Sequence, residues 1–203
     1  MNNINITLPD SSVKTFPEGV TAQEVANSIG SGLARAVVVA KIDGVLRDLN
    51  YKIFKDSSLE LVTGDTPEGH DTLLHSTAHL MAQAVKALYP NAKFTIGPTI
   101  ENGFYYDFDL DVSFSEDSLV LIENKMKELS KKNQEIFRYE VSASEAVSIF
   151  EKMGESYKVE IVGQINPEDT ISLYKQSDFT DLCRGPHVSV SYTHLPLPTI
   201  CSV

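Results

Sequence analysis

Two short stretches, more than a hundred residues apart, hold the side chains best suited to chemistry. His75-Ser76-Thr77-Ala78-His79 has two imidazoles four residues apart, which a helix places on one face, one turn from each other. Asp181-Leu182-Cys183-Arg184-Gly185-Pro186-His187 repeats the spacing with a thiol and an imidazole, on what its Gly-Pro step makes a loop. Two histidines from a helix, with a cysteine and a histidine from a loop, form a four-ligand set for zinc. The same residues equally form a metal-free site in which imidazoles act as bases and anchor water. The spacing leaves both open. Other chemistry has no carrier: the chain lacks a Walker-type glycine loop, a dinucleotide fingerprint and a GxSxG nucleophile elbow.

The elements that must position these residues follow from local patterning. The HxxxH pair falls within a helix expected over 72–88, with an apolar stripe of Leu73, Leu74, Leu80, Met81, Ala84, Val85 and Leu88. Before it lies a Pro/Gly-rich linker, Gly64-Asp65-Thr66-Pro67-Glu68-Gly69. Beyond it, strands are expected over 93–100, 104–108, 157–162 and 171–175, and helices over 116–132 and 144–153. The helix at 116–132 is so charged that it reads as solvent-facing. Upstream of the linker, Ile4 to Leu8 alternates apolar and polar, and Val13 to Phe16 returns from a turn cluster. Thr21 with Glu24 makes a capping box for a helix from Ala22 to Ile29, stopped by Gly30. Strands follow over 36–42, 46–49 and 58–62, with Asp43-Gly44 as a hairpin turn. The reading is α+β: a small β-grasp-like unit over 1–64, then an α+β domain over 65–188 whose long HxxxH helix packs on a mainly antiparallel sheet.

Charge divides the chain in the same places. Of 17 basic and 28 acidic residues, the first 64 positions are nearly balanced, and the excess of acid lies in 65–188. The last fifteen residues carry no charge. A net charge of -11 argues against a general nucleic-acid coat protein, though not against contact with RNA at one patch. No apolar run approaches the roughly 20 residues of a membrane span, and the first residues lack a basic signal-peptide region. Cys183 and Cys201 are the only cysteines, too few for a disulfide framework. A cytoplasmic protein is expected.

Five motifs occur in a fixed order: His75-Ser76-Thr77-Ala78-His79-Leu80, Ile96-Gly97-Pro98, Asn102-Gly103-Phe104-Tyr105-Tyr106-Asp107, Glu155-Ser156-Tyr157-Lys158-Val159, and Asp181 to His187. Together they resemble the editing domain of bacterial threonyl-tRNA synthetases, and the first 64 residues resemble the TGS domain that opens those enzymes. The resemblance covers about residues 1–188. It implies an N-terminal fragment whose editing module hydrolyses Ser-tRNA(Thr), with the serine-charged acceptor end of tRNA(Thr) as partner. Serine and threonine differ by one methyl, which binding resolves by only about 1–3 kcal/mol, so a second, hydrolytic site is needed.

Carried over by motif, His75 and His79 position or deprotonate water, and Lys158 stabilises the oxyanion or holds the terminal ribose. Asp181 binds the serine ammonium. Cys183 and His187 shape the pocket, His187 also as a proton relay, and Tyr105 contacts substrate. No cofactor is expected for editing. In alanyl-type relatives the His75, His79, Cys183 and His187 set resembles a zinc site, but a metal-free water network is the reading for the threonyl type. The ATP-dependent aminoacylation domain and the anticodon-binding domain have no counterpart here, so aminoacylation is not expected. The chain is expected to be a monomer, and the full-length enzyme a homodimer. After Val188 the pattern of the family stops, and 189–203 reads as a non-native tail. Two alternatives stand beside this reading: a non-catalytic RNA- or protein-binding module with the same fold, and a freestanding trans-editing protein.

Overall fold

The computed structural model describes residues 2–188 apart from 102, 133 and 167. The expectations placed on 189–203 lie outside the described residues. The chain divides into two compact units, one formed by residues up to Leu73 together with 185–188, the other by Leu74–Arg184. The division falls inside the long helix, later than the linker at 64–69 that the sequence marks.

The first unit begins with β1 (Asn3–Thr7) and β2 (Val13–Pro17), an antiparallel hairpin in which Ile4 and Ile6 face inward. The short β3 (Val20–Thr21) leads into α1 (Ala22–Ile29). The capping box read from the sequence is present: Thr21 accepts the Glu24 N–H, and the Glu24 carboxylate accepts the Thr21 N–H at 2.8 Å. A short helix the sequence did not signal, α2 (Ser31–Ala36), precedes β4 (Val37–Ile42). The remaining strands are β5 (Val45–Arg47), β6 (Lys52–Ile53) and β7 (Ser57–Thr63). The main sheet runs β2-β1-β7-β4-β5, with β1 and β7 parallel at its centre. Val25 and Ala26 of α1 share a buried cluster with Ile4, Ile6, Ala40, Ile42 and Leu59 of the sheet. A helix grasped by a mixed sheet is the expected β-grasp arrangement.

The second unit is built around α3 (Pro67–Leu88), which starts before the unit boundary. Pro67 opens this helix, where its missing N–H costs nothing, so part of the expected linker is helical. Burial is continuous from Ser76 to Val85 rather than confined to a stripe. This marks a central helix rather than a surface one.

The expected strands at 93–100 and 104–108 form one loose hairpin of four short pieces. These are β8 (Lys93–Phe94), β9 (Thr99–Ile100), β10 (Gly103–Phe104) and β11 (Phe108–Asp109), paired β8 with β11 and β9 with β10. Pro98, which has no N–H to give a ladder, lies between the two paired ends.

Next, α4 (Glu116–Ser130) corrects the solvent-facing expectation: Ile122, Met126 and Leu129 bury one face, while charges line the other. After it, β12 (Ile136–Val141) leads into α5 (Ala143–Met153), with Ser142 and Glu145 as its capping box. The strand expected at 157–162 is instead a helix, α6 (Ser156–Gly163). Its buried residues, Lys158 and Val162, are four apart, and Val159 and Val162 pack with Phe150 of α5. Packing against α5 overrides the strand preference of its β-branched residues. The left-handed Gly154 (φ 75°) ends α5 and turns the chain into α6.

Two strands close the unit, β13 (Ile171–Gln176) and β14 (Phe179–Leu182), in an antiparallel sheet of order β12-β13-β14. β12 and β14 were not read from the sequence. Phe150 is fully buried among Ala146, Val162, Ile171 and Leu173. Phe150→Ala is therefore expected to cost about 3–5 kcal/mol in urea unfolding; an unchanged midpoint would contradict this core. Among the described residues no helix is long and apolar enough to cross a membrane.

Candidate functional site

The site is assembled within the second unit from α3, the 93–109 hairpin, α6 and the end of β14. Asp181 lies on β14 with its carboxylate buried, 2% exposed. Four groups converge on it. Lys158 Nζ is 2.5 Å from Oδ1, and the Leu182 N–H donates to the same oxygen at 2.8 Å. The Tyr106 hydroxyl donates to Oδ2 at 2.8 Å, and His79 Nδ1 stands 3.6 Å from that oxygen. Lys158 also reaches the Tyr106 oxygen at 3.4 Å. An ammonium and a carboxylate both about 3% exposed are stable only when so closely partnered.

One turn back along α3, His75 and His79 meet edge to face, with ring centroids 5.2 Å apart. His75 Nε2 lies 3.2 Å from Cys183 Sγ. Cys183 follows β14 and is held through its backbone, its N–H donating to Ser172 O at 3.3 Å and its carbonyl accepting from Ser172 Oγ. Donor atoms of His75, His79 and Cys183 lie within 4.8 Å of one another. Two imidazole nitrogens and a thiolate at that separation are groups of the kind that could hold a zinc ion. His187 falls in the 185–188 segment that groups with the first unit. There its backbone N–H donates to Asp48 Oδ1 at 2.7 Å, and its side chain is buried.

Electrostatics separates the roles of these groups. Burial, followed by the neighbouring His75 and Lys158, pushes the His79 pKa well below the usual imidazole value. His79 is thus a neutral imidazole at physiological pH. Burial, then Asp181, pushes the Tyr106 hydroxyl well above the usual phenol value, so it stays a donor.

Comparison with known proteins identifies relatives of the chain. The family model described as TGS domain matches residues 4–63, the span from β1 to β7. Threonine–tRNA ligase of Citrifermentans bemidjiense is 51% identical over 188 residues, 93% of this chain and 29% of the relative. The same-named protein of Geobacter sp. strain M21 is 52% identical over the same spans, and that of Alkalilimnicola ehrlichii 54% identical over 183 residues. The chain is homologous to the N-terminal part of threonine–tRNA ligases. It spans less than a third of the length of these relatives.

In this N-terminal region, Tyr106 is the residue that sequence reasoning missed. Successive residues of the hairpin point opposite ways, so Tyr105 is 51% exposed while Tyr106 is buried against Asp181. The sequence offered two adjacent tyrosines that could reach inward and carried only Tyr105 over as a substrate contact. Which one reaches inward is decided by the register of β8 with β11 and by Gly97. A Cβ at Gly97 would lie 2.2 Å from Tyr106 Cδ2, so the ring can rest there only on a bare backbone. Gly97→Ala is expected to lift Tyr106 off Asp181. The change would be read as an altered near-UV circular dichroism of tyrosine and about a 10- to 100-fold loss of any hydrolytic rate the site supports. Unchanged values for both would contradict this placement.

Proposed function

We propose that the second unit hydrolyses the ester of mischarged Ser-tRNA(Thr), acting on the serine-bearing acceptor end. The observation that carries this reading is the set around Asp181: a buried ammonium and a phenol donor on its carboxylate, with the His79 imidazole 3.6 Å from the same group. A water lodged near His79 gives up a proton to it as its oxygen bonds to the ester carbonyl carbon. Negative charge then develops on the carbonyl oxygen, where the Lys158 ammonium is the donor to meet it. The bond to the ribose oxygen breaks, that oxygen takes the proton back, and serine and a free tRNA end result. His75 orients His79 and the water, and Cys183, in contact with His75, shapes the wall of the pocket. Because Lys158, Leu182 N–H and Tyr106 already occupy the Asp181 carboxylate, its role is first to hold them in place. The substrate ammonium would have to share it. Tyr105, exposed on the outer side of the hairpin, stands as a contact for more distant parts of the tRNA end.

No cofactor is required for these steps. Zinc bound by His75, His79 and Cys183 would supply a polarised water in place of the imidazole base. The homology to threonine–tRNA ligases supports tRNA(Thr) as the partner.

The test is a deacylation assay with Ser-tRNA(Thr) and Thr-tRNA(Thr) after treatment with a chelator, with metal content measured. Hydrolysis of the seryl ester over the threonyl ester, zinc-free, is expected, with His75→Ala lowering it by about 10²-fold or more. An undiminished rate in His75→Ala refutes the assignment. Activity that appears only with stoichiometric zinc replaces the metal-free reading. No hydrolysis under either condition leaves the non-catalytic binding module as the function.

A further inference from the structure

Glu155 is a buried acid that the steps above do not use, and it is 3% exposed. Its carboxylate accepts from Lys86 Nζ at 2.6 Å and from the Phe94 N–H at 3.2 Å. Lys86 belongs to the last turn of α3 and also donates to Ala92 O at 2.8 Å. Glu155 occupies the N-cap of α6, yet its side chain makes no capping bond there. Its backbone instead joins the two helices, with its N–H on Phe150 O and its carbonyl accepting the Val159 N–H. One residue thus ties the end of α3, strand β8 and the corner between α5 and α6.

Both groups that hold Asp181 depend on what Glu155 ties down. Lys158 comes three residues later, in the first turn of α6. Phe94, whose N–H Glu155 accepts, packs edge-on against Tyr106 with centroids 6.0 Å apart. The Lys86 ammonium lies over the Phe94 ring, 5.2 Å from its centroid. A serine or threonine would cap α6 better than this glutamate does. A well-packed neutral residue would also avoid the cost of desolvating the Glu155 carboxylate, which offsets much of its attraction to the partly exposed Lys86. What the charge adds is one definite geometry.

We propose that Glu155 is a positioning residue for the hydrolytic site: by joining Lys86, Phe94 and the start of α6 it sets Lys158 and Tyr106 on Asp181. The kinetic half of this inference rests on the deacylase reading. The geometric half does not.

The test uses the 203-residue chain with Glu155→Ala and Glu155→Gln. Glu155→Ala is expected to lower kcat for Ser-tRNA(Thr) by about 10- to 100-fold with KM nearly unchanged. Glu155→Gln, which keeps the shape and an acceptor oxygen, recovers most of that loss. In a Lys158→Met, Tyr106→Phe background Glu155→Ala adds little further loss, because it acts through those two residues. A lowered melting temperature with wild-type kcat in the folded Glu155→Ala protein overturns the proposal and leaves a structural role alone. If the wild-type chain hydrolyses nothing, the deacylase reading fails, and a crystal structure of Glu155→Ala decides the positioning claim. Lys158 Nζ displaced from Asp181 supports it; Lys158 Nζ still within hydrogen-bond distance of Asp181 Oδ1 overturns it.

Discussion

Lys158→Met is expected to reduce hydrolysis of Ser-tRNA(Thr) by about 10²–10³-fold, the loss typical when one donor to a developing oxyanion is removed. Methionine keeps the length and burial of the stem, so α6 retains its packing against α5 and only the ammonium is lost. The loss should fall on kcat, because the charge it answers arises only as water adds to the carbonyl. Single-turnover deacylation with saturating protein isolates that step. A rate within a few-fold of wild type would remove Lys158 from the reaction and, with it, the main physical argument for catalysis. A rise in KM alone would recast Lys158 as a group that holds the ribose.

Asp181→Ala is expected to have the largest effect on stability of any single change at the site. It leaves the Lys158 ammonium about 3% exposed with its counter-charge gone, and removes the acceptor of the Tyr106 hydroxyl. Breaking a buried pair in this way costs about 3–5 kcal/mol. Urea unfolding gives the value, and the double variant Lys158→Met with Asp181→Leu gives the control. Once neither charge is present the desolvation cost vanishes, so the double variant should be far closer to wild type than Asp181→Ala. If Asp181→Ala unfolds at the wild-type midpoint, the ammonium finds water without it and the buried cluster is wrong.

Much of the fold was legible because its signals are local. The Thr21–Glu24 capping box, the alternation of Ile4 and Ile6, and the Asp43-Gly44 turn each act within a few residues. The structure contains all three. The strand expected at 157–162 failed for the opposite reason. Its Val and Ile content favours a strand taken alone, and only the surface of α5 makes the helical placement of Val159 and Val162 the better burial. The same holds for α4, whose charges hid an apolar face that only its partners reveal.

For the site, residue types and spacings by themselves nominated the His75–His79 pair and the Cys183–His187 pair, because chemistry restricts which side chains can manage a proton or a metal; Lys158 and Asp181 came from the resemblance to threonyl-tRNA synthetases. Residue types and spacings also determined a β-grasp unit followed by an α+β unit. Tertiary structure alone decided that Asp181 is a shared anchor, that Tyr106 rather than Tyr105 reaches it, and that Glu155 braces the elements around it. Those outcomes depend on strand register, on a bare backbone at Gly97 and on helices meeting across 50 or more residues of chain. A one-dimensional pattern has no term for distance between segments, and burial, which sets the charge states of His79 and Tyr106, exists only once those segments meet.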